Sequence, residues 1–200
     1  RPIANHGITL VPGDCVYVDL NADGEINSND ATRDIGYTDM PEYTAGLNTG
    51  FSWKNFDFSM QWTGAWNVDR MLDEFRRPLG DTNEKGLLLY QYDTTWRSSA
   101  DTFTAKFPRT SSLHASNNYA GSDLYLINAS YLRLKSVEIG YNFNFPFMKK
   151  LKMDNCRLYV NGYNLITITG FKWGDPESRQ SSRPNYPLTR VFNIGLKLGF

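Results

Sequence analysis

The chain carries its clearest chemical pattern at residues 19–30, DLNADGEINSND, which have the spacing of a calcium-binding loop. Ca²⁺ takes about six to eight oxygen ligands, and alternate side chains of a tightly curled loop reach one ion if a glycine forms the sharp turn. Gly24 stands at that turn. The predicted ligands are Asp19, Asn21, Asp23, Glu25 through its backbone carbonyl, Asn27 directly or through water, and Asp30. The stretch therefore predicts a structural calcium site.

A second interpretation of the same stretch is a surface turn that binds no metal, because Asp, Asn and Gly favour turns on their own account. Asp30 is also shorter than the Glu that usually closes such a loop with both oxygens. The strand-like CVYV before the loop and the proline of YTDMP after it argue against flanking helices. If calcium binds, we therefore expect a clamped loop and not a helix-pair sensor.

Composition excludes several classes of function. The 21 basic and 21 acidic residues give a formal net charge of zero, so no nucleic acid partner is expected. No run of eighteen apolar residues is present, which excludes a transmembrane helix. Cys15 and Cys156 are too few for a disulfide scaffold and are expected to be unpaired. Aromatic residues make up 14% of the chain, an excess that requires a structural explanation.

Alternation of apolar and polar residues predicts five long strands. FDFSMQWTGAWN, residues 56–67, places Phe56, Phe58, Met60 and Trp62 on one face. LNTGFSW precedes it across only Lys54-Asn55, which predicts a β-hairpin within residues 43–67. The other alternating runs are residues 131–145, 156–167 and 188–200. In the last run one face carries Phe192, Ile194, Leu196, Leu198 and Phe200.

The connections between these strands differ in length in a regular way. Residues 54–55 and 146–155 are short, whereas residues 68–129 and 168–187 are long and rich in Gly, Ser, Asn, Pro and charge. Long strands with an apolar band, short turns at one end and long loops at the other are typical of outer-membrane β-barrels. The competing interpretation is a soluble β-sandwich, which also alternates.

Six blocks of the sequence resemble, in order, the C-terminal blocks of the SusC/RagA family of TonB-linked outer-membrane proteins. These blocks are YVDLNADGEINSNDATRDIG, GLNTGFSWKNFDFSMQWTGAWN, NASYLRLKSVEIGYNF, CRLYVNGYNLITITGF, GDPE and YPLTRVFNIGLKLGF. The resemblance implies an all-β fold, the C-terminal strands of an antiparallel transmembrane barrel of about 22 strands with long extracellular loops. It also implies import of glycans, oligosaccharides or peptides across the outer membrane of Bacteroidetes-type bacteria.

The family implies partners as well: an N-terminal plug, the remainder of the barrel, TonB, outer-membrane lipid and a SusD-like surface lipoprotein. Because five strands cannot close a barrel, we expect this chain to be the C-terminal part of a larger protein or one piece of a split one. Phe200 is expected to serve as the terminal aromatic assembly signal. No substrate-binding residue is assigned.

The predicted organisation follows from this topology. Residues 1–42 form an extracellular loop region with the calcium-type loop 19–30, and residues 43–67 form a barrel hairpin. Residues 68–129 form a long extracellular loop, with a short helix from Val68 to about Arg77. Residues 130–200 form the last three barrel strands, with an extracellular loop at 168–187.

Two functions other than import are compatible with parts of the sequence. The alternative is a soluble calcium-dependent β-sandwich with a binding or adhesion function. An enzyme, for instance a glycosidase using Asp175 and Glu177, is not expected, because a turn around Pro176 explains both carboxylates. No nucleophile, base and orienting group can be assembled from the remaining residues.

Overall fold

The computed structural model describes residues 8–76, 88–111, 115–146, 152–178 and 188–200, and most of the regular structure is antiparallel β-strand. The strands are β1 (Tyr43–Trp53), β2 (Phe56–Trp66), β3 (Asp69–Met71), β4 (Leu126–Asn128), β5 (Tyr131–Phe143), β6 (Asn155–Thr169) and β7 (Val191–Gly199). The helices are α1 (Leu89–Thr94) and α2 (Ala115–Asn118). Single 3₁₀ turns lie at Ser28–Asp30, Asp73–Arg76, Ser99–Asp101 and Asp123–Tyr125.

Five strands form one sheet in the order β1-β2-β5-β6-β7, and every neighbouring pair is antiparallel. The predicted hairpin is present, with Lys54 in the left-handed conformation at its turn (φ 55°). All five predicted strands are found, and the all-β prediction is confirmed. Outside this sheet, the described residues contain only the two-stranded sheet of β3 and β4. A second large sheet, which a sandwich would need, is therefore not among them.

The strand register gives the sheet one apolar face and one polar face. On the apolar face, side chains from all five strands lie opposite one another in rows. One row is Phe51, Phe58, Ile139, Val160 and Ile194. The next row is Trp53, Phe56, Tyr141, Leu158 and Leu196. A row of the polar face is Ser59, Glu138, Asn161 and Asn193.

A β-bulge in β5 changes which residues face each way. Between Gln61 and Trp62 of β2 the pairing skips Lys135 of β5, so Lys135 is the extra residue of the bulge. Uninterrupted alternation along β5 would place Arg133 on the apolar face. Because of the bulge, Arg133 lies opposite Thr63 on the polar face.

The chain divides into two compact units. One comprises Tyr37–Arg70 and Asn128–Phe200 and contains the five-stranded sheet. The other comprises Arg1–Gly36 and Met71–Ile127 and contains both short helices. Segments that the sequence predicts as two separate loops thus contribute to one compact unit.

The helix predicted from Val68 to about Arg77 is wrong. The described part of this stretch forms β3 and the 3₁₀ turn Asp73–Arg76. The backbone N–H of Leu72 donates to the carbonyl of Tyr125 (2.8 Å), a partner far away in the chain. Long-range pairing replaces the local hydrogen bonds that a helix would have made.

Two buried asparagines form the polar core of the helix-containing unit. The Asn118 side chain accepts from the backbone N–H of Cys15 (3.0 Å), and the Asn117 side chain donates to the Cys15 carbonyl (3.0 Å). The hydroxyls of Tyr17 and Tyr125 donate to the carbonyls of Asn117 and Asn118 (2.8 and 2.7 Å). These bonds fasten the segment that leads into residues 19–30 to helix α2.

Close packing on the polar face requires a glycine in β7. Gly195 lies opposite Tyr159 of β6, and a Cβ at this position would overlap the Tyr159 ring. We expect Gly195→Ala to destabilise the protein by about 1–3 kcal/mol, the usual effect of overpacking. The measurement is the midpoint of thermal unfolding of the purified protein.

Gly46→Ala in β1 is the matched control, because the nearest atom to its new Cβ is the Trp62 carbonyl oxygen at an ordinary 3.8 Å. This variant should unfold close to the parent temperature. Equal midpoints for the two variants would contradict the packing of Tyr159 over Gly195.

Candidate functional site

Arg157 of β6 organises a hydrogen-bonded network on the polar face. Its guanidinium forms two bonds with Asp57 of β2, one of them at 3.0 Å, and one with Glu138 of β5 at 2.8 Å. Asn161 donates to the second oxygen of Glu138 (3.1 Å), and Asn193 of β7 donates to Asn161 (2.9 Å). We call these five side chains the polar ladder. It connects four neighbouring strands on one face.

Two large side chains of this region, Arg157 and Tyr159, occupy space that neighbouring glycines leave free. A Cβ on Gly140 would overlap the Arg157 guanidinium, as a Cβ on Gly195 would overlap Tyr159. The Arg157 guanidinium carbon is 5.1 Å from the centre of the Tyr159 ring, within cation–π range. Gly140 and Gly195 therefore leave the space that Arg157 and Tyr159 occupy on the polar face.

The opposite face is apolar and carries exposed side chains on each of the five strands. Phe192 is 70% exposed and Ile194 is 78% exposed, and both belong to the rows that cross all five strands. The side chains predicted to face lipid all lie on this face, namely Phe56, Phe58, Met60, Trp62, Phe192, Ile194, Leu196 and Leu198. Proteins surrounded by water rarely expose a continuous apolar face of this extent.

A partly buried ion cluster lies on the polar face at the β5 bulge. Arg133, only 2% exposed, pairs with Asp175 and with Glu177 at 2.7 Å each. Lys135 lies 3.4 Å from Glu177. The sequence correctly predicts a turn at Asp175 and Glu177, and the N–H of Glu177 donates to the Asp175 carboxylate (2.9 Å). It does not predict Arg133 as their partner, because only the bulge turns that side chain toward them.

Residues 19–30 fold into a curled loop stabilised by its own side chains. Gly24 has a positive φ (90°), as the loop pattern predicts, and its N–H donates to one carboxylate oxygen of Asp19 (2.9 Å). The other oxygen of Asp19 is buried and has no hydrogen-bond partner. Asp30 accepts from the N–H groups of Leu20 (2.9 Å) and Asn27 (2.8 Å).

The remaining predicted ligands also make local contacts. Asn21 donates to Asp23 (2.9 Å), and Asp23 accepts from the N–H of Glu25 (2.8 Å). Among the residues that the structure describes, no three Asp, Glu, His or Cys side chains converge into a group able to hold a metal ion.

The two cysteines are not joined by a disulfide, as predicted; both lie in the described part of the chain. Burial raises the pKa of the Cys15 thiol to about 11. At neutral pH this thiol is therefore protonated, which makes it a poor nucleophile and a poor metal ligand. Within the described ranges, no helix is both long and apolar enough to cross a membrane.

Comparison with known proteins finds relatives that are named as TonB-dependent receptors. TonB-dependent receptor P3 of Formosa agariphila is 30% identical over 206 residues, which cover 94% of this chain and 19% of the receptor. TonB-dependent receptor SusC of Bacteroides thetaiotaomicron is 28% identical over 191 residues, covering 94% of this chain and 18% of SusC. The resemblance to the SusC/RagA family is confirmed. No protein-family model matches the chain.

Solved structures of the SusC/RagA group support the fold. The RagAB peptide transporter matches with a TM-score of 0.62 and 21% identity over 82% of this chain and 18% of its own. The RagAB peptide importer in the closed-closed state matches with a TM-score of 0.65 and 23% identity over 95% of this chain and 21% of its own. The predicted barrel strands are thereby confirmed, whereas the total of about 22 strands stays a prediction.

The SusC/RagA relatives also confirm the predicted location in the bacterial outer membrane. The chain spans about a fifth of the length of the curated relatives, 19% of receptor P3 and 18% of SusC. These relatives are thus several times longer than this chain, which contains a five-stranded antiparallel sheet and one further compact unit.

Proposed function

We propose that this chain is a wall segment of a SusC/RagA-type receptor that imports a nutrient across the outer membrane with energy from TonB. The single observation that carries the proposal is the sorting of the sheet into an exposed apolar face and a hydrogen-bonded polar face. The cargo class is a glycan, an oligosaccharide or a peptide. The role is not catalytic: Asp175 and Glu177 are paired with Arg133 and form no catalytic group.

The partners in this proposal are the remaining barrel strands, the plug, TonB and a SusD-like surface lipoprotein. The relatives named as TonB-dependent receptors and the RagAB peptide transporter support these assignments. Strands β1 and β7 are the outermost strands of the sheet in the described part of the chain, and this supports further strands beyond them, because unpaired backbone groups in lipid are unfavourable by several kcal/mol each.

The apolar face contacts lipid in this proposal, and the polar face lines the lumen. Strands β1 and β2 have 11 residues each, which is about 36 Å of extended chain. At a tilt of about 45° this length projects to roughly the 25 Å height of a barrel's apolar band. The aromatic side chains of the outer rows, such as Trp53 and Phe56, then lie where an aromatic girdle belongs.

Two neighbouring substitutions in β7 test this orientation. Leu196→Lys places a charge on the apolar face, where Lys is unfavourable by up to about 2–4 kcal/mol, the value at the middle of the membrane. Lys197→Leu changes the polar face, so we expect it to assemble normally. The amount of folded receptor in outer-membrane fractions, measured by heat-modifiable gel mobility, should fall only for Leu196→Lys. Equal yields of the two variants would contradict a lipid-facing Leu196.

Phe200 is proposed to act as the assembly signal. It is 81% exposed and follows directly after β7, so no packing role within the described residues accounts for it. Its removal should lower the folded yield in the same gel assay as Leu196→Lys does.

The loop at residues 19–30 is proposed to bind one calcium ion on the extracellular side. The ligand spacing, the positive φ of Gly24 and the unpartnered oxygen of Asp19 support this site. Because fewer than three acidic side chains converge there, the affinity should be low, with a Kd of about 10⁻⁴–10⁻³ M, as in extracellular calcium modules. Bound calcium would stiffen the loop.

Calorimetric titration of the purified receptor with calcium tests this site. Asp19→Asn should weaken binding at least about tenfold, because a carboxylate oxygen is lost from the loop. Asp34→Asn is the matched control, since Asp34 lies outside the loop and is exposed. Binding that is unchanged in Asp19→Asn would identify the stretch as a turn without metal.

Import itself is tested in a strain that lacks the receptor gene. Complementation with the parent receptor should restore uptake from a mixture of tritiated oligosaccharides or a mixture of tritiated peptides, and a protonophore should abolish it. Gly46→Ala, which is sterically neutral, controls for expression. Equal uptake of both mixtures with and without the receptor would contradict the import function.

A further inference from the structure

Arg133 is the most completely buried charged residue among those the structure describes, and all three of its guanidinium nitrogens are engaged. Nη2 bonds to Asp175 and Nη1 to Glu177 at 2.7 Å each, and Nε bonds to the Thr167 hydroxyl at 3.1 Å. Thr167 belongs to the sheet, whereas both carboxylates belong to the segment that follows β6. Arg133 therefore connects a strand to a loop.

This arrangement differs from the other arginine cluster of the polar face. Arg157 bridges Asp57 and Glu138, which both lie within strands that already pair with each other. Arg133 instead holds the segment that follows β6. The described strand pairing of β6 with β5 ends at Thr169, before this segment begins. Removal of Arg133 would thus release a loop, while removal of Arg157 would weaken contacts between strands that stay paired.

A second contact fixes the same segment. Arg70 donates to the carbonyl of Pro176 (3.4 Å), between the two residues that Arg133 holds, and also donates to the carbonyl of Asp39. At the start of the segment Phe171 is buried, and its N–H donates to the Thr169 hydroxyl (3.1 Å). Residues 171–177 are therefore fixed at both ends.

Stability alone does not account for a buried guanidinium. Apolar side chains of similar volume usually stabilise an interior site as well as a buried ion pair does. The planar guanidinium of Arg133, however, binds two carboxylates of one turn through separate nitrogens, and this geometry defines one position for that turn. The bulge at Lys135 is the feature that directs Arg133 to this position.

We propose that Arg133 is a positioning residue for import, which holds residues 171–177 against the extracellular end of the polar face and so sets the shape of the passage there. This inference rests on the proposed import function and on the proposed orientation of the barrel. It predicts that loss of Arg133 moves the loop and impairs uptake while the barrel still assembles.

Lys172 provides a reporter of the loop position, because it is exposed and lies within the fixed segment. Intact cells that carry the full-length receptor are treated with trypsin, and cleavage after Lys172 is followed by mass spectrometry. Arg133→Met should increase the cleavage rate at least about tenfold, since the turn loses both of its ion pairs with Arg133. Arg133→Lys should give an intermediate rate, because a single ammonium cannot reproduce the fork.

Arg157→Met is the matched control, and it should leave cleavage after Lys172 within about twofold of the parent rate. Heat-modifiable mobility reports folding in every variant. Where Arg133→Met does not assemble, Glu177→Gln decides. It removes the ion pairs of Glu177 with Arg133 and Lys135 from the exposed side of the cluster and should also speed cleavage. Parent-like cleavage in the folded Arg133→Met or Glu177→Gln receptor would overturn the proposal.

Uptake of the tritiated mixtures separates this proposal from the import function. If the parent receptor imports neither mixture, the import function fails and the role of Arg133 in import fails with it, while the cleavage rates still report whether Arg133 holds the loop. If the parent imports and Arg133→Met combines fast cleavage with parent uptake, the loop is held by Arg133 but does not affect import. Fast cleavage together with reduced uptake is the expected result.

Discussion

The structure depends on one constraint: each strand of the sheet must present apolar side chains to one environment and polar side chains to another. Side chains alternate with a period of two residues, so a register error of one residue would reverse both faces at once. The observed register avoids this across five strands, from Phe51 through Phe58, Ile139 and Val160 to Ile194. A continuous apolar face and a continuous polar face result.

Other features follow from this alternation. Polar side chains collected on one face become neighbours across the strands, which lets Arg157 reach Asp57 and Glu138. Gly140 and Gly195 stand on that face where large side chains cross the sheet. The bulge at Lys135 interrupts the alternation in β5. Its one extra residue places Arg133 on the polar face, where the guanidinium pairs with two carboxylates.

Much of the sheet was predictable because alternation is a property of the local sequence. The hairpin around Lys54 and the apolar face of β7 follow from residue parity, and the structure agrees with both. The cluster around Arg133 was not predictable for two reasons. The alternation of apolar and polar residues does not show where a bulge will form, and the partners Asp175 and Glu177 are more than 40 residues away in the sequence. The helix expected after Val68 failed for a similar reason, because long-range pairing overrode local preference.

Accessibility of spin labels along β7 would test the two-faced sheet most directly. Nitroxides placed singly at positions 192, 193, 194, 196 and 197 of the receptor in lipid bilayers report collisions with oxygen, which concentrates in lipid, and with a water-soluble nickel chelate. The account predicts that positions 192, 194 and 196 favour oxygen and that positions 193 and 197 favour the nickel chelate. Accessibility that shows no alternation, or the opposite phase, would contradict the assignment of one face to lipid and the other to the lumen.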